Sequence, residues 1–229
     1  MKREVKVAAI VPMRHHSERV PGKNYRVLAG KPLYHHIVET LLSCPLIAEV
    51  WIDTDSDLIL REAGRLFPIH TIRRPEHLRA DTEPMNNILL HDVQQIQSDF
   101  YLQTHSTNPL LRSETISRAV AQFLEPGEHD SLFSVTRWQK RLYDAGGRPI
   151  NHNPRELLRT QDLPPVFEEN SCIYLFSRPT LETYGTRIGA RPLRFEIAAS
   201  EAVDIDDEED FLLAECLYQR RLSGETREA

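Results

Sequence analysis

The sequence predicts an α/β protein built on a mostly parallel sheet with helices packed on both faces. Three observations carry that prediction. Short apolar runs alternate with amphipathic segments along most of the chain, the pattern of strands joined by crossover helices. The first run, Val5-Lys-Val-Ala-Ala-Ile-Val11, has almost no polar interruption, as expected of a strand buried on both faces. Directly after it comes a basic, glycine-containing loop ahead of a helix, which is how α/β proteins commonly hold phosphate groups.

That loop, residues 11–33, contains Pro12, Pro21 and Pro32, Gly22 and Gly30, and the cations Arg14, Arg19, Lys23, Arg26 and Lys31. It has no apolar period. Gly22 suits a close approach of backbone to ligand. Composition alone is equally compatible with a solvated connector. Spacing excludes two familiar phosphate loops. Seven residues separate Gly22 from Gly30-Lys31, and Pro32 stands where the Ser or Thr of a G-x-x-x-x-G-K-[ST] loop would hold magnesium. There is no G-x-G-x-x-G either.

The remaining elements follow in order. Pro32 suits a first helical position, and Leu33, His36, Ile37, Thr40 and Leu41 recur at helical spacing before Pro45. Glu49–Asp53 reads as a second strand, and Thr54-Asp55-Ser56 suits the cap of a helix carrying Ile59, Ala63 and Leu66. Residues 67–72 form a weak third strand. The polar stretch 73–83 leads into a helix with Leu89, Val93 and Ile96. Residues 99–104 form a strand that exits into His105-Ser-Thr-Asn-Pro-Leu110. Ser113 suits the cap of a helix whose face is Ile116, Ala119, Val120, Phe123 and Leu124, and 130–136 is a further strand.

From Arg137 to Asp162 the pattern breaks. Trp138, Tyr143, Gly146-Gly147 and several arginines read as an extended arm that packs against another subunit, or as a disordered insert. Strand character returns at 165–176 and 193–197. A last helix, from about Asp207 to Leu222, offers Phe211, Leu213, Ala214, Leu217 and Tyr218 as its apolar face. In such a sheet, binding residues gather beyond the carboxyl ends of the strands. The basic loop, Asp53–Asp55 and His105–Asn108 all fall there.

The 229 residues suit a single domain spanning 1–229, with 137–162 as an arm within it. No apolar run approaches the ~18 residues of a membrane span, and no signal-peptide core opens the sequence. Cys44, Cys172 and Cys216 lack metal or redox spacing, so we expect reduced thiols in a cytoplasmic protein with no membrane partner. A net charge of −6 argues against a general nucleic-acid binder. The charge is uneven, however. A cationic loop and the anionic run Asp204–Asp210 in one chain suit an anionic ligand carrying a divalent cation.

Arg14, Arg19 and Lys23, with Ser17, are the candidates for a triphosphate. Asp204-Ile205-Asp206 alternates on an extended segment, which places both carboxylates on one side and suits Mg²⁺. Asp206 equally suits the N-cap of the last helix, with Glu209 closing a capping box; the two readings are compatible, because a cap does not need Asp204. The pairs His15-His16 and His35-His36 do not make a zinc site, since adjacent side chains diverge. His105 ends a strand in a ligand-facing loop.

Six elements in sequence order then resemble the sugar-acid cytidylyltransferases. Val11-Pro12, Arg14, Ser17, Pro21-Gly22-Lys23-Asn24, Leu28 and Gly30-Lys31-Pro32-Leu33 match the N-terminal signature of that family. Ile52-Asp-Thr-Asp55, Arg74-Pro-Glu with Leu78 and Asp81-Thr82, Thr107-Asn-Pro-Leu110, Leu163-Pro164 through Asn170 to Ile173-Tyr174, and Asp204-Ile-Asp206 follow. The Asn170 to Tyr174 segment, and the lack of Q-G-D-E-P, place the resemblance nearer the acylneuraminate type than the Kdo type.

The resemblance implies a three-layer, Rossmann-like nucleotidyltransferase fold with a dimerisation arm. It also implies Mg²⁺-dependent transfer of CMP from CTP to the anomeric hydroxyl of a nine-carbon 2-keto sugar acid, releasing pyrophosphate. Arg14, Lys23 and Asp206 would be catalytic. Met13, Arg14, Ser17, Arg19, Lys23, Asn24, Arg74, Asp81 and Thr82 would bind CTP, and Asp204 and Asp206 the metal. His105, Asn170 and Tyr174 would face the sugar acid. Lys140 or Arg159 would reach it from the neighbouring subunit of a homodimer.

Departures fall mainly at the sugar end. Glu18 follows Ser17 where Lys is usual, His105 replaces Gln, Ser171-Cys172 replace Gly-Ala, and Thr160 stands at an expected arginine. A Kdo-like octulosonate acceptor and a catalytically silent nucleotide-binding homologue are the alternatives.

Overall fold

A computed structural model describes residues 5–224. In chain order the elements are β1 (Val7–Met13), β2 (Val27–Leu28), β3 (Lys31–Pro32), α1 (Leu33–Leu42), β4 (Glu49–Thr54), α2 (Asp57–Leu66), β5 (His70–Arg73), α3 (Met85–Gln95), β6 (Phe100–Gln103) and α4 (Ser113–Leu124). Then come β7 (Ser131–Trp138), β8 (Val166–Phe176), α5 (Arg178–Tyr184), β9 (Pro192–Glu196) and α6 (Glu208–Leu222). Seven strands form one sheet in the order β5-β4-β1-β6-β8-β7-β9. Only β8 runs against its neighbours; the β5-β4-β1-β6 and β7-β9 pairings are parallel. The expectation of a mostly parallel, three-layer sheet holds.

β1 explains the layering. All seven of its residues are buried, and successive side chains point to opposite faces. Val7, Ala9, Val11 and Met13 pack with Ile37, Val38 and Leu41 of α1, Ile59 and Ala63 of α2, and Ile116, Ala119 and Val120 of α4. Ala8 and Ile10 enter a second cluster with Leu89 and Val93 of α3 and Leu181 of α5. A third cluster is smaller and matters more for function. Val20, Leu28 and Leu33 of the basic loop and its exit pack against Ile205 and against Phe211 and Ala214 of α6. Burying a side chain such as Phe211 is worth about 2–3 kcal/mol. That cluster clamps the N-terminal loop to the acidic segment Asp204–Asp210, which is distant in sequence.

Several boundaries differ from the sequence reading. Ser113 is the first residue of α4 and not its cap; Arg112 precedes it, with its N–H donating to Glu201 (3.1 Å). Leu213 lies on the solvent side of α6, because the clamp uses Phe211 and Ala214 with Tyr218 against it. The weak third strand begins only at His70, after Pro68. α5 was not anticipated. Its signals were present: Ser177 accepts from the N–H of Thr180 (3.2 Å), and Pro179 sits in the first turn. The basic loop contains an unexpected two-stranded hairpin, β2–β3, turning through Ala29 (φ 47°) and Gly30 (φ 92°).

The arm starts later than Arg137, since β7 continues to Trp138 opposite Val166. Beyond it the chain forms a braced hairpin. Asp144 accepts from the N–H groups of Gly146 and Arg148 (both 2.9 Å) at the turn. Buried Asn151 donates to the carbonyls of Lys140 (2.7 Å) and Pro164 (2.9 Å), tying both roots of the arm together. Its outer surface carries exposed Tyr143, Ile150, Leu157 and Leu158, with Leu157 93% exposed.

Candidate active site

A cleft of about 500 Å³ opens at the carboxyl ends of β1 and β6. Pro12, Met13, Arg14, Ser17, Arg19, Lys23 and Asn24 line one side, and Arg74 and Asp81 another. His105, Thr107, Asp204 and Asp206 close it. Of the residues expected to hold a nucleotide or metal, only Thr82 does not line this cleft. Glu83, Met85, Ile88 and Ser106 line it without having been singled out, and so does His16, which the sequence raises only to set aside as a zinc ligand. Met85 and Ile88 lie in the first turn of α3, a helix whose apolar face was read only from Leu89, Val93 and Ile96.

The loop is held from several directions. Asn24 is buried, donates to the carbonyl of Arg14 (2.7 Å) and accepts from Ser106 (2.6 Å), so it joins the loop to the end of β6. The N–H of His15 donates to Asp55 (2.7 Å), which fixes the start of the loop to the end of β4. Gly22 serves the turn: its φ is 68°, and a Cβ there would lie 2.9 Å from the Tyr25 ring.

The cations meet carboxylates. Lys23 donates to the carbonyl of Ile205 (2.5 Å) and lies 3.9 Å from Asp206. Arg19 donates to Asp206 (2.7 Å), and Arg14 pairs with Asp81. Burial pulls the Lys23 ammonium below its ordinary pKa, while Asp206 and Asp204 oppose that pull. Burial pushes Asp204 upward; a hydrogen bond from Thr107 opposes it, and the like charge of Asp206 adds to it.

The cap question resolves by one residue. Asp207 is the N-cap of α6, accepting from the N–H of Asp210 (3.0 Å), and Asp210 closes the box by accepting from the N–H of Asp207 (3.1 Å). Neither Asp206 nor Glu209 serves in it. Asp204 and Asp206 flank buried Ile205, whose N–H is held by the carbonyl of Thr107 (3.0 Å), and both face the cleft. Two hard carboxylate donors on one side of an extended segment fit Mg²⁺. Binding it would require Arg19 to exchange Asp206 for an anionic ligand.

On the opposite side, His105 is neutral: burial lowers its pKa to about 3, with Arg187 and Lys23 adding to the effect. Gln103 donates to its Nε2 (3.1 Å), which requires the neutral ring. Arg187 donates to Gln103 (2.5 Å) and lies 3.6 Å over the Tyr174 ring. Arg187 thus couples two expected sugar-facing residues, His105 and Tyr174. It sits in the irregular stretch after α5, where no period pointed to it.

Tyr174 is fully buried, with its hydroxyl on Glu169 and Ser171. Asn170 accepts from Ser134 (2.6 Å) and donates to Thr136 (3.0 Å). Neither borders the cleft. Lys140 rests over Trp138 (4.0 Å) and Arg159 pairs with Asp162 (2.7 Å), both within the arm. These four are not brought to the cleft by this chain's own fold.

A cationic loop and a carboxylate pair meeting at the carboxyl edge of a mostly parallel sheet define a nucleotidyltransferase-type α/β fold. The chain belongs to the cytidylyltransferase family, whose model matches residues 8–227. It is 27% identical over 216 residues to N-acylneuraminate cytidylyltransferase A of Danio rerio, covering 91% of this chain and 50% of that protein. It is 28% identical over 240 residues to CMP-N,N'-diacetyllegionaminic acid synthase of Legionella pneumophila, covering 94% and 97%. The chain spans about half the length of most of the N-acylneuraminate relatives it matches. In fold it is similar to a CMP:2-keto-3-deoxy-manno-octonic acid synthetase solved with CTP (TM-score 0.72, 18% identity, 94% and 99% covered). It is also similar to a 4-diphosphocytidyl-2C-methyl-D-erythritol synthase from Anaerococcus prevotii (TM-score 0.69, 12% identity, 94% and 97% covered).

Proposed function

We propose that this protein transfers CMP from CTP to the anomeric hydroxyl of a sialic-acid-like nine-carbon 2-keto sugar acid, giving a CMP-sugar and pyrophosphate. One observation carries the reading: Arg19 and Lys23 meet Asp206, beside Asp204, and Arg14 meets Asp81, all within a single cleft. The names of the relatives, each joining CMP or cytidylyl transfer to a sugar acid, support the choice of nucleotide and acceptor.

Arg14 and Lys23 hold the triphosphate, and Arg19 leaves Asp206 to join them. Ser17 and Asn24 shape the loop around the nucleotide, Met13 and Asp81 border it, and Arg74 with the Asp81-Thr82 segment encloses the nucleoside. The acceptor hydroxyl releases its proton to solvent water and its oxygen bonds to the α-phosphorus as the bond to the β-phosphate oxygen breaks, and pyrophosphate departs. Asp204 and Asp206 hold Mg²⁺, which supplies neutralisation of phosphate charge when bound.

His105, backed by Gln103 and Arg187, meets the sugar acid. The exposed apolar surface of the arm, Leu157 above all, supports a homodimer in which Lys140 or Arg159 approaches the neighbouring cleft. No helix among the described residues is long and apolar enough to cross a membrane; we place the reaction in the cytoplasm, the compartment expected of the free thiols Cys44, Cys172 and Cys216. The test is incubation with CTP, Mg²⁺ and a panel of eight- and nine-carbon 2-keto sugar acids, read by pyrophosphate release. Release with a nine-carbon acid supports the reading, release only with an eight-carbon acid shifts the acceptor, and none at all overturns it.

A further inference from the structure

Behind the cleft wall lies a buried acidic pair that the proposed reaction does not use. Asp53, on β4, and Asp92, on α3, are both 0% exposed. One carboxylate oxygen of each lies within 4.8 Å of the other and of a His91 ring nitrogen. Asp53 Oδ1 accepts from Arg74 Nε (2.5 Å), and Arg74, itself 1% exposed, borders the cleft. Asp92 Oδ1 is 3.3 Å from His91 Nδ1. The second oxygen of each carboxylate, Asp53 Oδ2 and Asp92 Oδ2, is buried without any donor.

Two ionised carboxylates beside one guanidinium would leave a net negative charge in the buried interior, with two oxygens that no donor meets. That arrangement is strongly unfavourable. A single proton on the pair removes one charge and gives both bare oxygens a partner. Three cations could neutralise this place: a proton, a metal and protonated His91. A metal would stand beside the Arg74 guanidinium, which already neutralises one carboxylate. His91 faces Asp92 Oδ1, not the bare oxygens, and its ring is also met by Gln95 (2.9 Å). The proton fits with the fewest buried charges.

We propose that Asp92 is a positioning residue that stays protonated and donates its hydrogen to Asp53, keeping Asp53 anionic toward Arg74 and Arg74 fixed at the wall of the nucleotide cleft. Burial pushes the Asp92 carboxyl far above the ordinary carboxylate range, with the Asp53 charge and hydrogen bond adding to it and Arg74 opposing. The groups facing it are Asp53 from β4, Arg74 following β5, and His91 on its own helix. Because Arg74 acts on the nucleotide only under the function proposed above, the second half of this inference rests on that reading.

The sign of the pH effect separates the proton from an ordinary ion pair. An unfolded Asp92 ionises at the usual value near 4, whereas the folded one keeps its proton to much higher pH. Folding therefore takes up a proton in that range, and stability falls as pH rises from about 4 toward the alkaline side. Asp92→Asn supplies the N–H donor permanently and removes this loss. The experiment is thermal unfolding of the unliganded protein at pH 5 and pH 8, with calorimetric CTP titrations of wild type, Asp92→Asn and Asp92→Ala.

We expect Asp92→Asn to melt higher than wild type at pH 8, by a margin that shrinks at pH 5, and to bind CTP within about twofold of wild type. Asp92→Ala leaves Asp53 without its donor and weakens CTP binding about tenfold, the scale of one buried hydrogen bond to a charge. A lower melting temperature for Asp92→Asn at pH 8 would mean that Asp92 is ionised and would overturn the proposal. So would a stoichiometric divalent metal in the purified protein that is lost on Asp92→Asn. CTP binding by Asp92→Asn as poor as that by Asp92→Ala would overturn the positioning role. Failure of wild type to bind CTP would instead overturn the nucleotide reading, and the melting curves would still judge the proton.

Discussion

The ammonium of Lys23 donates to the carbonyl of Ile205 at 2.5 Å, between the two carboxylates that flank it. One lysine thus ties the basic loop after β1 to the acidic segment before α6. Lys23→Met removes a charge-assisted hydrogen bond and a phosphate cation together, each worth about 1.5–3 kcal/mol. We expect CTP affinity to fall by about 10–100-fold or more, measured by calorimetry, with a smaller drop in melting temperature. Unchanged affinity would remove Lys23 from the nucleotide site.

Arg19 and Asp206 pair at 2.7 Å, but both side chains are more than half exposed. Such pairs contribute about 0–1 kcal/mol. Arg19→Ala should therefore melt close to wild type while binding CTP about tenfold more weakly, since the charge is needed on phosphate. A large loss of stability with intact CTP binding would make Arg19 a structural clamp.

Asp206 and Asp207 are neighbours with separable tasks. Asp207→Ala removes the N-cap of α6 and should cost about 1 kcal/mol in unfolding free energy, with activity retained. Asp206→Asn should leave the melting curve in place and reduce pyrophosphate release by orders of magnitude. If the two phenotypes were exchanged, Asp206 would be the structural residue and the metal assignment would fall.

Much of this was legible in the sequence. Strong apolar periods located β1, α1, α4 and the edge of α6, because burial on one or both faces leaves a regular mark. The cationic loop and the Asp204-Ile-Asp206 alternation were visible for the same reason: charge density and period-two spacing survive in one dimension. What was lost depends on three-dimensional choice. Asp206 and Asp207 both read as caps, and only the end of the β6 loop, holding Ile205 through Thr107, decides between them. Asn170 and Tyr174 sit in a strand that the sequence did locate. Asn170's partners Ser134 and Thr136 are set by strand pairing across β7 and β8, which no local signal encodes. Ser171 adopts φ 59°, which explains why glycine is the familiar residue there.

His36 gives the fold a pH dependence on the acid side. Burial lowers its pKa to about 4, although its Nε2 hydrogen bond to the Leu28 carbonyl (2.9 Å) opposes that shift. As pH falls below the unfolded value near 6.5, the unfolded chain takes up a proton that the folded chain refuses, so stability drops between about 6.5 and about 4. Between pH 7 and pH 5 this amounts to about 2 kcal/mol. His36→Leu should be less stable at pH 7, having lost the bond to Leu28, but should show a shallower decline toward pH 5 in chemical denaturation. An equal slope in the two proteins would show that His36 is not the titrating group.

The central claim is that the Lys23 loop and the Asp204–Asp206 pair form one catalytic cleft for CTP and a sugar acid. Mass spectrometry of the product, with each of the four NTPs offered alongside a nine-carbon 2-keto sugar acid and Mg²⁺, tests it most directly. The expected result is a CMP-sugar formed from CTP alone by wild type and essentially none by Asp206→Asn. Binding of CTP with no nucleotide-sugar from any acceptor, or equal product from Asp206→Asn, would contradict it.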